Sequence, residues 1–391
     1  MLNRRILRAK AMQAVYSYHL CKDANYEVAI EKIKTSFLPD LTAAEKQNIE
    51  KLNKDRDVAI HLFEQQFKDK DILKQNNGEI TPRIRQSVVD AVNFYHNQNQ
   101  KDRENIGKGM VLHAEKLMER SLSLLQLLID FADFAEKEAK ERHRRQIIPA
   151  PIFEHEQKLF KNKTIEKVRN HHKFAKEILD RKIYWDIENI RTWYKLLQKD
   201  EKYVAYQQLP AATAFQDAEF AIYLLRDFIL KNEVIESHLS ETDYNWQEDK
   251  ITVRSMALKT LKNIHEQENE GEIVQLSANW EDDKDFFKQL YQLSLQHEDE
   301  IRPLIANKSE NWDISRITAV DLALLLMALC EMIYFPSIPI KVTINEILEI
   351  AKDYGTPKSK DFLNGLLDVL SQELEKDGKI VKTGRGLLDN K

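Results

Sequence analysis

The chain has 391 residues, 42% hydrophobic and 31% charged, enough for two or three domains with cores of their own. Only 9 Gly and 9 Pro punctuate it, which excludes a turn-rich strand fold and favours long helices. The net charge of -5 excludes a wholesale nucleic-acid binder, so such a function needs a local patch, and the 2 cysteines, Cys21 and Cys330, exclude a disulfide framework or a cysteine zinc site.

Residues 3–21 read as one helix, with Leu7, Ala11, Ala14 and Tyr18 spaced by three and four along an apolar stripe. The segment is basic, holding Arg4, Arg5, Arg8, Lys10 and Lys22 with no acid before Asp23. Arg5, Arg8, Met12 and Tyr16 form a second stripe beside the apolar one, either a solvated face with an incidental tyrosine or a face that offers cations and a phenol. Arg8 interrupts Ile6-Leu7 at once, so no secretory apolar core follows, and the segment lacks the serine enrichment of a transit peptide. A cytoplasmic protein is expected.

From about 42 to 208 the pattern is helical, charged and poor in anything resembling a site, as in a scaffold. The longest run, about 103–146, places Leu117, Leu124, Leu128 and Phe131 on one face. Its basic end, Arg142 to Arg145, complements a helix C-terminus, with a phosphate-binding patch as the second reading. The apolar windows 122–134 and 319–333 are shorter than the ~20 residues of a membrane span and read as buried helices. Linkers of Pro and Ala at 147–152 and 209–214 mark boundaries.

An internal repeat follows at a fixed offset of 66 residues, pairing Asp217 with Asp283, Phe220 with Phe286, Leu224 with Leu290, Asn245-Trp246 with Asn311-Trp312, Ile251-Thr252 with Ile317-Thr318 and Ala257-Leu258 with Ala323-Leu324. This predicts that 211–270 and 277–336 are copies of one helical unit. The second copy ends in the apolar run 319–333, with Asp321 near its start and Glu331 near its end, as in a central core helix. Phe335-Pro336-Ser337-Ile338-Pro339 forces an extended connection. The next helix buries Ile344, Ile347, Leu348 and Ala351 and presents Asn345, Glu349 and Lys352. Gly355 is placed to end it, with Thr356 capping the following helix and Pro357 in its first turn. Gly365, inside that last helix, suggests close approach of another backbone. The tail from Lys376 is expected to be mobile.

Enzymatic signatures are missing. There is no HExxH, CxxC, GxxxxGK[ST] or GxSxG; Gly107-Lys108-Gly109 lacks a third glycine and a preceding strand, and the adjacent His171-His172 point in different directions on a helix. The acids Glu281-Asp282-Asp283 read as a solvated helix start. No catalytic residue, metal or cofactor is expected.

Two separated segments together resemble the NusB family of transcription antitermination proteins. RRILRAKAMQAVYSYHL is similar to the family's Arg-rich first helix, and IPIKVTINEILEIAKDYGTPKSKDFLNGLLDVL to its INE…ELAK…S..FVNG region. Trp312, Arg316-Ile317 and Ala328-Leu329-Cys330-Glu331 resemble its core helices. The strong likeness covers about 1–21 and 283–372. It implies an all-α fold, with 1–21 as the first helix, 22–210 a helical insertion, 211–276 a degenerate copy of the repeated unit, 277–375 the core and 376–391 a tail. It further implies a non-enzymatic factor that binds boxA-type RNA with the small-subunit ribosomal protein NusE, and joins elongating RNA polymerase and other Nus factors in ribosomal RNA transcription.

Carried over by position, the RNA-facing residues are Arg4, Arg5, Arg8, Tyr16, Asp321, Tyr354 and Lys358, and Lys10 of the same basic segment joins them. The pattern departs at Leu325-Leu326, where the family often has Leu-Arg, and at Lys358, where an acid is common and a lysine should strengthen phosphate binding. The partner surface falls loosely on 286–331. NusB-like domains also occur fused to RNA cytosine methyltransferases, but this chain has neither a glycine-rich cofactor loop nor strand–helix alternation. A protein–protein adaptor that uses the inserted region, with RNA binding reduced or lost, stays open.

Overall fold

A computed structural model describes residues 2–39, 48–67, 69, 72–74, 80–144, 157–267, 271–308 and 317–388. In chain order the helices are α1 (Arg4–Ser36), α2 (Ile49–Gln66), α3 (Pro82–Arg144), α4 (Lys163–Arg169), α5 (His172–Arg181), α6 (Ile187–Leu197), α7 (Glu201–Gln208), α8 (Ala214–Tyr223) running into a π-helical segment (Leu224–Ile229), α9 (Glu233–Thr242), α10 (Trp246–Glu266), α11 (Trp280–Gln296), α12 (Glu298–Lys308), α13 (Ala319–Tyr334), α14 (Ile340–Tyr354) and α15 (Ser359–Lys376). A short 3-10 turn, Gly384–Leu387, follows. No strand occurs among the described residues, so the fold is all-α, as the sequence predicts.

The chain divides into two compact units, Met1–Asn3 with Leu112–Glu281, and Arg4–Val111 with Asp282–Lys391. In the unit begun by Leu112, the second half of α3 supplies a core of Leu124, Leu125, Leu127, Leu128 and Phe131. Helix starts there follow local chemistry: Asn162, Asp186, Asp200 and Asn232 each accept backbone N–H groups of the first turn, and Thr213 and Gln216 form a reciprocal capping box. Arg120 is held between Asp243 and Asp249, and Tyr206 donates to Asp217 at 2.7 Å while Asn162 donates to Tyr206 at 3.0 Å. His171, one of the adjacent histidines, caps α5 and has Nε2 2.6 Å from the Gly271 carbonyl, a structural role.

The other unit is built on α13, whose Leu324 to Cys330 are all wholly buried. Burying one such Leu contributes ~2 kcal/mol, so this stretch anchors the unit. Burial also pushes the Cys330 thiol up to about 12, leaving it inert. α13 packs on α1, α14 and α15. The predicted first helix does not stop at Cys21. No Gly or Pro occurs before Pro39, and Ala29 and Ile33 bury against Ala59, Leu62 and Phe63 of α2 and Ile84 and Val88 of α3. The run taken as 103–146 likewise begins at Pro82.

Four details near the C-terminus differ from expectation. Gly355 does end α14, but in an extended conformation; a Cβ there would lie 2.7 Å from both the Ala351 carbonyl and Ser359 Cβ. The regular part of α15 starts at Ser359, two residues later than Pro357, although Ser359 Oγ accepts from the Thr356 N–H at 2.9 Å like the N3 partner of a Thr356 cap. Nothing lies within 4 Å of a Cβ built on Gly365, so no backbone approaches it. The tail, expected to be mobile, is folded back over its described residues up to Leu388: Ile380 is buried, the Thr383 N–H donates to the Pro336 carbonyl at 2.9 Å and Lys382 Nζ to the Phe335 carbonyl at 3.1 Å. Burial brings the Lys382 ammonium down to about 8, against the opposing pull of Glu331.

The two segments of the predicted repeat run through the same helix order. Ala214 and Trp280, the first residues of α8 and α11, are 66 positions apart, as are Thr242 and Lys308, the last of α9 and α12. Asn311-Trp312, Arg316 and the 147–152 linker lie outside the described residues.

Candidate nucleic-acid interface

α1 brings its arginines to three different carboxylates. Arg4 Nε donates to Asp283 Oδ1 at 3.1 Å, with its guanidinium 4.8 Å over the Phe286 ring. Arg5 makes a two-pronged contact with Glu346 of α14, at 2.9 and 3.0 Å, and lies 3.9 Å from Glu349. Its pKa is raised, first by the Glu346 hydrogen bond and then by the charges of Glu346, Glu349 and Asp353, against desolvation. Both side chains remain about half exposed (47% and 46%), so a phosphate can exchange for the carboxylates at a cost of ~1 kcal/mol or less per pair.

Arg8 is different. It is 2% exposed and gives Nε and Nη2 to the two oxygens of Glu331 at 2.7 and 2.8 Å; Glu331 is 1% exposed and also accepts from Thr343 Oγ1 at 2.6 Å. The stripe of Arg5, Arg8, Met12 and Tyr16 is therefore not one exposed face, because Arg8 and Met12 belong to the interior. Lys10 is also buried, at 6% exposure. These two residues are corrected from RNA-facing to interior positions, since a cation enclosed by protein cannot meet a phosphate without unpacking α1.

Asp321 stands at the start of α13, its backbone N–H donating to Thr318 Oγ1 at 3.1 Å, and it too is buried; its Oδ1 has no hydrogen-bond partner among the described residues. A carboxylate in the first turn is favoured by the helix dipole, which accounts for part of its placement. Tyr16 and Tyr354 are half-buried. Lys358 is exposed at the α14–α15 junction, and its ammonium makes no ion pair among the described residues. No hydrogen bond or ring contact among them links Tyr16 or Asp321 to Arg4, Arg5 or Lys358. Of the residues expected to face RNA, the surface cations are thus Arg4, Arg5 and Lys358, with Lys352 paired to Glu349 beside Arg5.

Sequence reasoning missed the acids that organise α1: Asp283, Glu346 and Glu331. Of these only Glu331 carried a signal, a lone acid at the end of an apolar run, which burial makes untenable without a cation. A second buried carboxylate, Glu298, lies 3.3 Å from His19 Nε2 and accepts from Arg302 Nε at 2.5 Å; burial raises its pKa, but His19, Lys22 and Arg302 prevail and hold it at about 2. Among the described residues no group of three or more His, Cys, Asp or Glu could hold a metal ion, and no helix is long and apolar enough to cross a membrane.

The fold and site define a helical protein whose basic first helix is clamped onto a buried central helix, leaving two arginines and a junction lysine at the surface. Residues 251–372 match the NusB family, so the chain carries a NusB-family domain there. Proteins named transcription antitermination protein NusB are similar to it: that of Salinibacter ruber (strain DSM 13855 / M31) is 41% identical over 105 residues, 27% of this chain and 66% of the relative. That of Chloroherpeton thalassium (strain ATCC 35110 / GB-78) is 41% identical over 106 residues, 27% of this chain and 50% of the relative, and that of Finegoldia magna (strain ATCC 29328 / DSM 20472 / WAL 2508) 41% over 85 residues, 22% and 62%. The chain thus spans between half and two thirds of the length of these relatives. No solved structure matches it.

Proposed function

We propose that this protein is a non-enzymatic transcription antitermination factor of the cytoplasm, which binds boxA-type single-stranded RNA together with NusE and acts with elongating RNA polymerase and other Nus factors on ribosomal RNA operons. The observation that carries this reading is the NusB family domain at 251–372, whose α14–α15 junction presents Lys358 in the same unit as Arg4 and Arg5. In this reading Arg4, Arg5 and Lys358 contact phosphates, while Tyr16 and Tyr354 offer rings to unstacked bases. Arg8 acts through Glu331, fixing α1 so that Arg4 and Arg5 are held outward. Asp321, being buried, contributes only if RNA or NusE reaches the start of α13. The 211–276 segment is read as a degenerate copy of the helical unit and the rest of 22–210 as an added scaffold.

The test is fluorescence anisotropy of labelled boxA RNA and a scrambled control, titrated with and without NusE. Selective binding that tightens with NusE is expected, and Arg4→Ala with Arg5→Ala is expected to weaken it by ~1–3 kcal/mol with a shallower salt dependence. Equal affinity for both RNAs, unchanged by the substitutions, overturns the reading and favours a protein–protein adaptor.

A further inference from the structure

One basic surface lies outside the site above, in the unit that holds the added helices. Between Gln157 and Lys182 the sequence has nine Lys and Arg against three acids, in a chain whose net charge is -5. Some of these cations are structural: Lys158 donates to the Gln207 carbonyl at 3.1 Å, Arg169 pairs with Asp133 at 2.6 Å and Arg181 with Glu177 at 2.8 Å. Lys161, Lys163, Lys173 and Lys176 are not. All four are exposed, and none makes an ion pair among the described residues.

The neighbouring elements extend the same character. Lys167 Nζ donates to the His265 carbonyl at 2.8 Å and Thr164 Oγ1 lies 3.0 Å from His265 Nδ1, which seats α4 on the end of α10. On α10, Lys262 lies one turn before His265, and Lys259 a further turn back; both are exposed. The positions 66 residues on, Leu325 and Ala328 in α13, are wholly buried. A helical stripe that is interior in one segment is thus cationic and open in the other. α5 buries only Phe174, so it is an outer helix, and Tyr184, just beyond it, is 82% exposed. The exposed acids on these helices are Glu166 on α4, Asp180 on α5, and Glu248 and Glu266 on α10, so the cations outnumber them without standing alone.

A field of one sign destabilises the compact state unless something neutralises it, and soluble surfaces ordinarily intersperse both signs. Lysines are flexible point charges suited to phosphodiester oxygens without regard to sequence, and a bare tyrosine ring is a stacking platform for any base. We propose that the α4–α5 surface, with Lys161, Lys163, Lys173, Lys176 and Tyr184, is a second RNA contact that holds single-stranded RNA by its backbone. It deepens the RNA-binding reading and rests on it for the choice of RNA as the polyanion, but the two are separable by experiment.

The experiment uses the full chain and three labelled probes, boxA RNA, an oligouridylate of about 30 nucleotides and polyglutamate as a peptide polyanion, across a salt series. For Lys161→Gln, Lys163→Gln, Lys173→Gln and Lys176→Gln combined, affinity for oligouridylate is expected to fall about tenfold, with the slope of log K against log salt shallower by about 3. The matching Lys→Arg variant retains binding, Tyr184→Ala weakens it, and circular dichroism confirms unchanged helicity. The fall and the shallower slope on Lys→Gln persist in the Arg4→Ala, Arg5→Ala background, which separates this contact from the first. Unchanged affinity and slope in the Gln variant overturn the proposal, as does loss of binding to polyglutamate alone, which marks a protein-docking surface. Failure of boxA recognition with lysine-dependent oligouridylate binding sinks the antitermination reading and leaves this contact standing.

Discussion

Replacing Glu331 with Ala removes the acceptor of three hydrogen bonds, two from Arg8 and one from Thr343, and leaves a guanidinium buried at 2% exposure with no opposing carboxylate. Breaking a buried pair on one side costs about 3–5 kcal/mol, because the surviving charge stays desolvated. Arg8→Met alone is expected to cost a similar amount. The double variant Arg8→Met with Glu331→Leu removes both charges and fills the space with apolar atoms, so it should recover most of the loss. By contrast Arg5→Ala breaks a pair whose arginine is 46% exposed and should cost ~1 kcal/mol or less. Urea denaturation of these variants and of Glu331→Leu alone, followed by circular dichroism, closes the cycle with Arg8→Met and gives the coupling energy directly. The same double variant then discriminates between roles: if Arg8 is a strut, RNA affinity survives. A cost under ~1 kcal/mol for Arg8→Met or Glu331→Ala would refute the buried-pair account, and a stable double variant that no longer binds RNA would refute the strut role.

Further outcomes follow from other sites. Glu298 is held at about 2, below its unfolded value, so its contribution is present above about pH 4.5 and is lost as pH falls toward 2; Glu298→Gln should flatten that acid limb in pH-dependent melting. Gly355→Ala places a methyl 2.7 Å from the Ala351 carbonyl and is expected to destabilise by ~1–3 kcal/mol, whereas Gly365→Ala, in open space, should stabilise by ~0.5–1 kcal/mol; thermal melts that reverse this order contradict the geometry. Truncation after Lys376 strips Ile380 and the Thr383–Pro336 bond from the domain and should lower the melting temperature; an unchanged melt would mean that the docked tail adds nothing.

The sequence made the helical class, the apolar run of α13 and the Gly355 junction legible, because each depends on local periodicity or on a single backbone requirement. The repeat stands in the sequence as a fixed offset of 66 residues, and the starts of α8 and α11 and the ends of α9 and α12 fall at that offset. The burial of Arg8 was not readable, since the residue that makes it tolerable lies 323 positions away and helical spacing alone puts Arg8 beside exposed Arg5. The tail misled for the opposite reason. Its composition is polar and Gly-containing, yet the bonds that hold it are to carbonyls of the Phe335-Pro336 turn, which no composition reveals. Gly365 was read as a close approach when the space above it is open.

The unbroken run of α1 from Arg4 to Ser36 carries a mechanical consequence. One end holds the exposed arginines and the other is stapled by Ala29 and Ile33 into the small bundle with α2 and the start of α3. A rigid rod gripped at both ends opens as one element, so amide hydrogen exchange along it should show a single protected block with no step near Cys21. Lesions in the far bundle would then loosen the arginine-bearing end without touching it, and under the proposed function substitutions at Ala29 or Ile33 would score as binding defects in a genetic screen while leaving Arg4 and Arg5 in place.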